Sequence, residues 1–155
     1  MRNTILNTII TDIPRITIAN GYKHDAPEAS KYFSTLDDIS SAPHINIYCG
    51  AQQSLPMEPG LETILKVNIL THAQVNTDIN KEGLLTSDVE SWLEDYIKFF
   101  TYPSTAEAEE SKICTLWSVA GVTYYFISAI EPYYDRNDNR HTIFVELTVN
   151  FLQIT

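Results

Sequence analysis

From Thr142 to Ile154 the chain alternates: Ile143, Val145, Leu147, Val149 and Phe151 fall on one side, and Phe144, Glu146, Thr148 and Asn150 on the other. Successive side chains of a strand face opposite ways, so this pattern demands a strand with one buried face and reads as antiparallel. A helix would scatter the same apolar residues around its circumference. Leu61 to Val75 is a second long strand, with Leu65, Val67 and Ile69 on one face. Its other face mixes Ile64, Lys66, Asn68 and Leu70, so that side is only partly covered.

Shorter strands are expected at Arg15–Ala19, ending in an Asn20-Gly21 turn, and at His44–Cys49, stopping at Gly50. Gln52 to Gly60 holds two prolines and reads as loop. Ile113 to Ala120 and Val122 to Ile130 flank Gly121 as two further strands. Residues 24–43 lack periodicity, with a helical turn around Tyr32 to Leu36.

Two helices stand out. Ile5, Leu6, Ile9, Ile10 and Ile13 form one helical stripe, and Pro14 ends it. Residues 87–100 open with a capping box, Ser87-Asp88-Val89-Glu90. Val89, Trp92, Leu93, Tyr96, Ile97 and Phe100 then line one face, with Asp88, Glu94, Asp95 and Lys98 outside. Tyr102-Pro103 closes the helix, and an acidic connector from Ser104 to Lys112 leads into the C-terminal strands. Sheet elements not regularly interleaved with helices indicate an α+β fold. At 155 residues the chain fits one domain, 1–155, with no repeat or linker.

Charge narrows the function. Ten Lys and Arg against twenty Asp and Glu give −10, too few cations for gripping nucleic acid or an anionic membrane. An acidic wall that lets DNA pass is compatible with that balance. No apolar run approaches the roughly 20 residues that cross a bilayer, and the N-terminus lacks the apolar core of a signal peptide. Cys49 and Cys114 each lie in a strand-like segment and read as buried thiols of a soluble, intracellular protein.

Catalytic patterns are sparse. The five glycines lie far apart, with no phosphate-cradling loop. No His-Glu-x-x-His, Cys-x-x-Cys or Gly-x-Ser-x-Gly occurs. His24, His44, His72 and His141 are scattered and read as surface or strand residues. Asp135-Arg136-Asn137-Asp138-Asn139, with Glu146 in twelfth place, imitates a calcium loop. Arg140 occupies the glycine position and both flanks are strands, so the segment reads as a polar hairpin tip. Tyr124, Tyr125, Phe126, Tyr133 and Tyr134 lack interleaved cations, so they read as packing residues rather than a base-stacking platform. Glu107, Glu109 and Glu110 read as a solvated loop, with a divalent-ion site between subunits as the alternative. Asp37 and Asp38 suit a helical-turn cap or a partner contact.

Four stretches in order carry a family resemblance: the N-terminal helix through Ile13-Pro14; Thr35-Leu36-Asp37-Asp38-Ile39 followed by Pro43-His44-Ile45-Asn46-Ile47; Leu65-Lys66-Val67-Asn68-Ile69; and Asp88-Val89-Glu90-Ser91-Trp92-Leu93 leading to Thr142–Leu152. In this layout nearly the whole chain resembles the tail terminator proteins, also called minor tail or tail completion proteins, of long-tailed bacteriophages. Residues 50–63 and 101–112 depart from that pattern. The resemblance implies a twisted, mostly antiparallel sheet with helices packed on one side. It implies a hexameric ring that caps the tail tube in the virion, ends its polymerisation and receives the head through a neck or head-completion protein. DNA passes through without specific binding. The family has no catalytic residues and no cofactor, although assembly in some members depends on divalent ions.

A ring interface is heterologous, so each subunit offers two different faces. Phe144 and Leu152 are apolar candidates for one of them, and the tip Asp135, Arg136, Asp138, Arg140 suits a polar contact that fixes register. Asp37 and Asp38 complete the candidate contacts. On that expectation, Arg136 and Arg140 changed to Glu weaken assembly and leave the fold intact. A second ring-forming neck or connector protein is the nearest alternative, and a small hydrolase or ligand-binding domain is a more distant one. A cleft holding a His–carboxylate pair would favour the latter.

Overall fold

The computed structural model describes residues 1–31, 43–57, 60–74, 82–103, 109–135 and 140–154. Two helices, α1 (Arg2–Asp12) and α2 (Glu82–Phe99), accompany strands β1 (Ala29–Ser30), β2 (His44–Met57), β3 (Gly60–Gln74), β4 (Val122–Asp135) and β5 (Arg140–Ile154). The strands form one sheet in the order β1-β2-β3-β5-β4. The three pairings among the long strands are antiparallel and β1 joins β2 in parallel, so the sheet is mixed and the fold α+β.

β3 and β5 pair without interruption from Gly60↔Ile154 to Gln74↔Arg140. Their expected core residues are the ones withdrawn from water: Leu65, Val67, Ile69, Ile143, Val145, Leu147 and Val149 are fully buried. Ile45 and Ile47 extend this face, and Ile5 and Ile9 of α1 with Trp92 and Tyr96 of α2 join the same cluster. Each aliphatic side chain so buried contributes roughly 1.5–3 kcal/mol.

Several expectations give way. β2 does not stop at Gly50; it runs to Met57, so most of the segment read as loop is strand. Gly50 lies in a register shift between Cys49 and Gln52, where a Cβ would meet the Asn68 side chain at 2.7 Å. Glycine there marks a bulge and a close approach. Pro56 is tolerated because an edge strand has one side that needs no amide donor.

Arg15–Ala19 is not a strand. Ile13–Arg15 is a 3-10 turn, after which Asn20 donates through its side chain to the Arg15 carbonyl (2.8 Å) and through its amide to Thr17 Oγ1 (3.1 Å). These local bonds compete with a sheet ladder. Ile113–Ala120 is likewise no strand but includes a 3-10 turn at Leu116–Ser118, and Cys114 therefore sits outside the sheet. Buried Asp12 draws this segment in, its Oδ2 accepting from the Thr115 amide (2.8 Å) and hydroxyl (2.6 Å).

α2 begins five residues before Ser87, because Glu82, Leu84 and Leu85 are strong helix formers that extend the ladder. Phe99 is fully buried, whereas Ile97, assigned to the buried stripe, is 56% exposed. Asp95, assigned outside, is buried. The expected helical turn at Tyr32 to Leu36 lies outside the described residues.

Candidate functional site

On β3 and β5 the side chains opposite the core face build a polar network. Lys66 Nζ donates to Thr148 Oγ1 at 2.7 Å and lies 3.5 Å from a Glu146 oxygen. Thr148 Oγ1 donates to Ser128 Oγ (2.8 Å), which donates to Glu146 Oε1 (2.8 Å). Further along, Asn150 Nδ2 donates to Glu62 (2.9 Å) and Tyr124 Oη (3.2 Å), while Thr123 donates to Asn150 Oδ1 (2.5 Å). Thr148 and Asn150, expected on the half-solvated side, are thereby buried.

β4 fits this network by bulging twice, at Thr123 and at Ser128. Each bulged residue turns its hydroxyl to β5, onto the Asn150 and Glu146 carbonyls at 3.1 Å. An extra residue resets the alternation, so Ile127 and Ile130 both pair with core-face residues, Leu147 and Val145. Tyr124, Phe126 and Tyr133 are left 44%, 50% and 51% exposed. Tyr124 and Phe126 stack with centroids 6.1 Å apart. A hydrogen bond to Glu131 raises the pKa of the exposed Tyr133 phenol.

A His–carboxylate cluster lies elsewhere, between α2 and the segment after α1. Asp95 accepts from the Lys23 amide (2.9 Å), the His24 amide (3.1 Å) and His24 Nδ1 (2.9 Å). Asp88 stands 2.9 Å from His24 Nε2, and the ring stacks on Trp92. Burial lowers the His24 pKa, but the bonds to Asp88 and Asp95 outweigh it and the net shift is upward. Ionised carboxylates only accept, so both ring nitrogens donate and neither keeps a lone pair for a general base. This cluster clamps two segments together. Sequence reasoning placed Asp95 in water and missed it, because its members are 64 and 71 positions apart.

A recess of about 480 Å³ beside the start of α1 is lined by Met1, Arg2, Asn3, Gln52, Phe151 and Gln153, with no carboxylate, histidine or cysteine among them. Among the described residues no group of His, Cys, Asp and Glu has metal-binding geometry, and no helix is long and apolar enough to cross a membrane.

The residues picked out from sequence are partly dispersed. Asp135 and Arg140 pair in register at the ends of β4 and β5. Arg136, Asp138, Asp37 and Asp38 lie outside the described residues. Phe144 is half-buried between Leu70 and Glu131 in register. Leu152 is half-buried, its amide donating to the Gly121 carbonyl at 2.8 Å. Phe144 and Leu152 are thus eight positions apart on one strand. Against protein-family models and curated proteins, the chain matches none.

Proposed function

We propose that this chain is a structural subunit of a phage tail, forming a ring that caps the tail tube, ends its polymerisation and offers the docking surface for the head. The observation that carries the reading is the row Tyr124, Phe126, Tyr133, half exposed along β4. Exposed aromatics grouped on one element are characteristic of surfaces that meet another protein. The sequence layout described above supplies the identity of the assembly.

In this reading the helices pack on one side of a twisted sheet, supported by the buried cluster that, among the described residues, joins α1, α2 and one sheet face. Subunits form a hexamer, the tip Asp135–Arg140 with Arg136 and Asp138 contacts a neighbour or the tube, and Phe144, Leu152, Asp37 and Asp38 contribute to the same contacts. A net charge of −10 keeps passing DNA from adhering to the lumen. Neither catalysis nor a resident cofactor is part of this role, and magnesium acts only on assembly. Deleting the gene from the virus that carries it is expected to leave filled heads beside overlong, headless tubes. Tails of normal length lacking only attachment to a portal would instead favour a neck protein, and normal virions would overturn both.

A further inference from the structure

His24 meets two carboxylates with one ring. Asp95 Oδ2 lies 2.9 Å from Nδ1 and Asp88 Oδ1 lies 2.9 Å from Nε2, so holding both takes a proton on each nitrogen. A neutral imidazole donates from one nitrogen and accepts at the other, so it can serve only one carboxylate. The two sites differ. Asp95 is buried and fixed by the Lys23 and His24 amides, at 2.9 and 3.1 Å. The Asp88 side chain is 36% exposed and can turn into water.

The charged groups around the ring leave His24 to titrate by itself. On its own segment Lys23 pairs with Glu94 of α2, and Asp25 accepts from the Ile18 amide at 2.9 Å. Tyr22 and Tyr96 lie near Asp95 with phenols raised by burial, and Lys98 stands over the Tyr22 ring. From β5, His141 is acted on by the Asp88 carboxylate, but burial dominates and lowers its pKa from 6.5. That of His24 is raised from the same value, so the two imidazoles change charge in separate pH windows.

We infer that His24 is a one-proton latch on α2: loss of the Nε2 proton frees Asp88 and the start of the helix, while the Asp95 link stays closed. The retained Nδ1 proton still donates to Asp95, and the bared Nε2 lone pair faces an Asp88 oxygen and repels it. Val89 and Trp92 are buried in both states and keep the rest of α2 docked. Opening is therefore confined to the turns from Glu82 to Asp88. Raising the pH above 6.5 unlatches this end of the helix, and lowering it again closes the latch. The device does not depend on the ring reading.

Ring-nitrogen NMR of the full chain from about pH 5.5 to about pH 9 reads the tautomer, with the His24 signals assigned by their loss in His24→Gln. The neutral His24 ring is expected to carry its proton on Nδ1, and a neutral ring protonated on Nε2 would overturn the inference. Over the same range, hydrogen exchange corrected for its intrinsic pH dependence is expected to rise about tenfold at the Asp88 and Val89 amides. The Lys23 and His24 amides are expected to keep their protection. Equal rises at both pairs would mean that the whole clamp opens, and no rise at Asp88 would mean that the proton holds nothing; either result overturns the latch. Asp88→Asn offers an acceptor to the charged ring and a donor to the neutral one, so in that variant the rise is expected to vanish. A rise that persists there would assign the pH dependence to another group, His141 first, and overturn the latch as well. Should the variant fail to fold, the ring tautomer of the unaltered chain decides alone.

Discussion

The His24 imidazole lies flat on the Trp92 indole, centroids 4.1 Å apart and planes 9° apart, while a carboxylate meets each of its nitrogens. The arrangement ties the segment following α1 to α2 through a charged ring. Stability at this clamp therefore follows the protonation of the histidine.

The sign of that dependence is fixed by the upward shift of the His24 pKa from 6.5. A group raised on folding stabilises fully below its unfolded value, and the contribution fades as pH climbs through the folded value. His24→Gln is expected to cost about 1–3 kcal/mol at about pH 5.5 and less at about pH 9. Urea unfolding of both proteins at the two pH values checks this; an equal gap at both would contradict the clamp.

Asp12→Ala removes the acceptor of the Thr115 amide and hydroxyl from a buried site, and also a neighbour of Arg15 at 3.4 Å. Leaving buried donors unsatisfied is expected to lower stability by about 1–3 kcal/mol. Asp12→Asn keeps one acceptor and should lose less. A shift in the denaturation midpoint that ranks Asn below Ala in stability would count against this account.

The two faces of the sheet separate stability from assembly. Leu147→Ala, in the core opposite Val67, is expected to cost about 2–5 kcal/mol. Tyr124→Ala, 44% exposed on β4, should change monomer stability by less than about 1 kcal/mol yet reduce the hexamer. Thermal unfolding of dilute protein, set beside native mass spectra, reads the two effects separately.

The core was legible because β3 and β5 are periodic over their full length, and the same alternation that locates Val145 and Leu147 locates their partners. What stayed hidden depended on contacts between distant positions. Gly50 and Pro56 carry the local marks of a strand end, and only the register with Asn68 and Leu61 reveals a bulged edge strand. Arg15–Ala19 and Ile113–Ala120 have strand composition, but Thr17, Asn20, Thr115 and Asp12 turn their hydrogen bonds to local or tertiary partners. Asp95 sits among charged neighbours on α2, and no local pattern distinguishes it from Glu94, which stays outside with Lys23. The candidate surface was half visible: aromatic residues of β4 appear in the sequence, but which of them face outward depends on the bulge at Ser128.

The central claim is assembly into a ring, and native mass spectrometry of the purified chain over a range of concentrations, with and without magnesium, tests it most directly. The account predicts a hexamer, or a monomer converted to one by raising the concentration or adding the ion. A chain that remains monomeric throughout, or stops at a dimer, would contradict it.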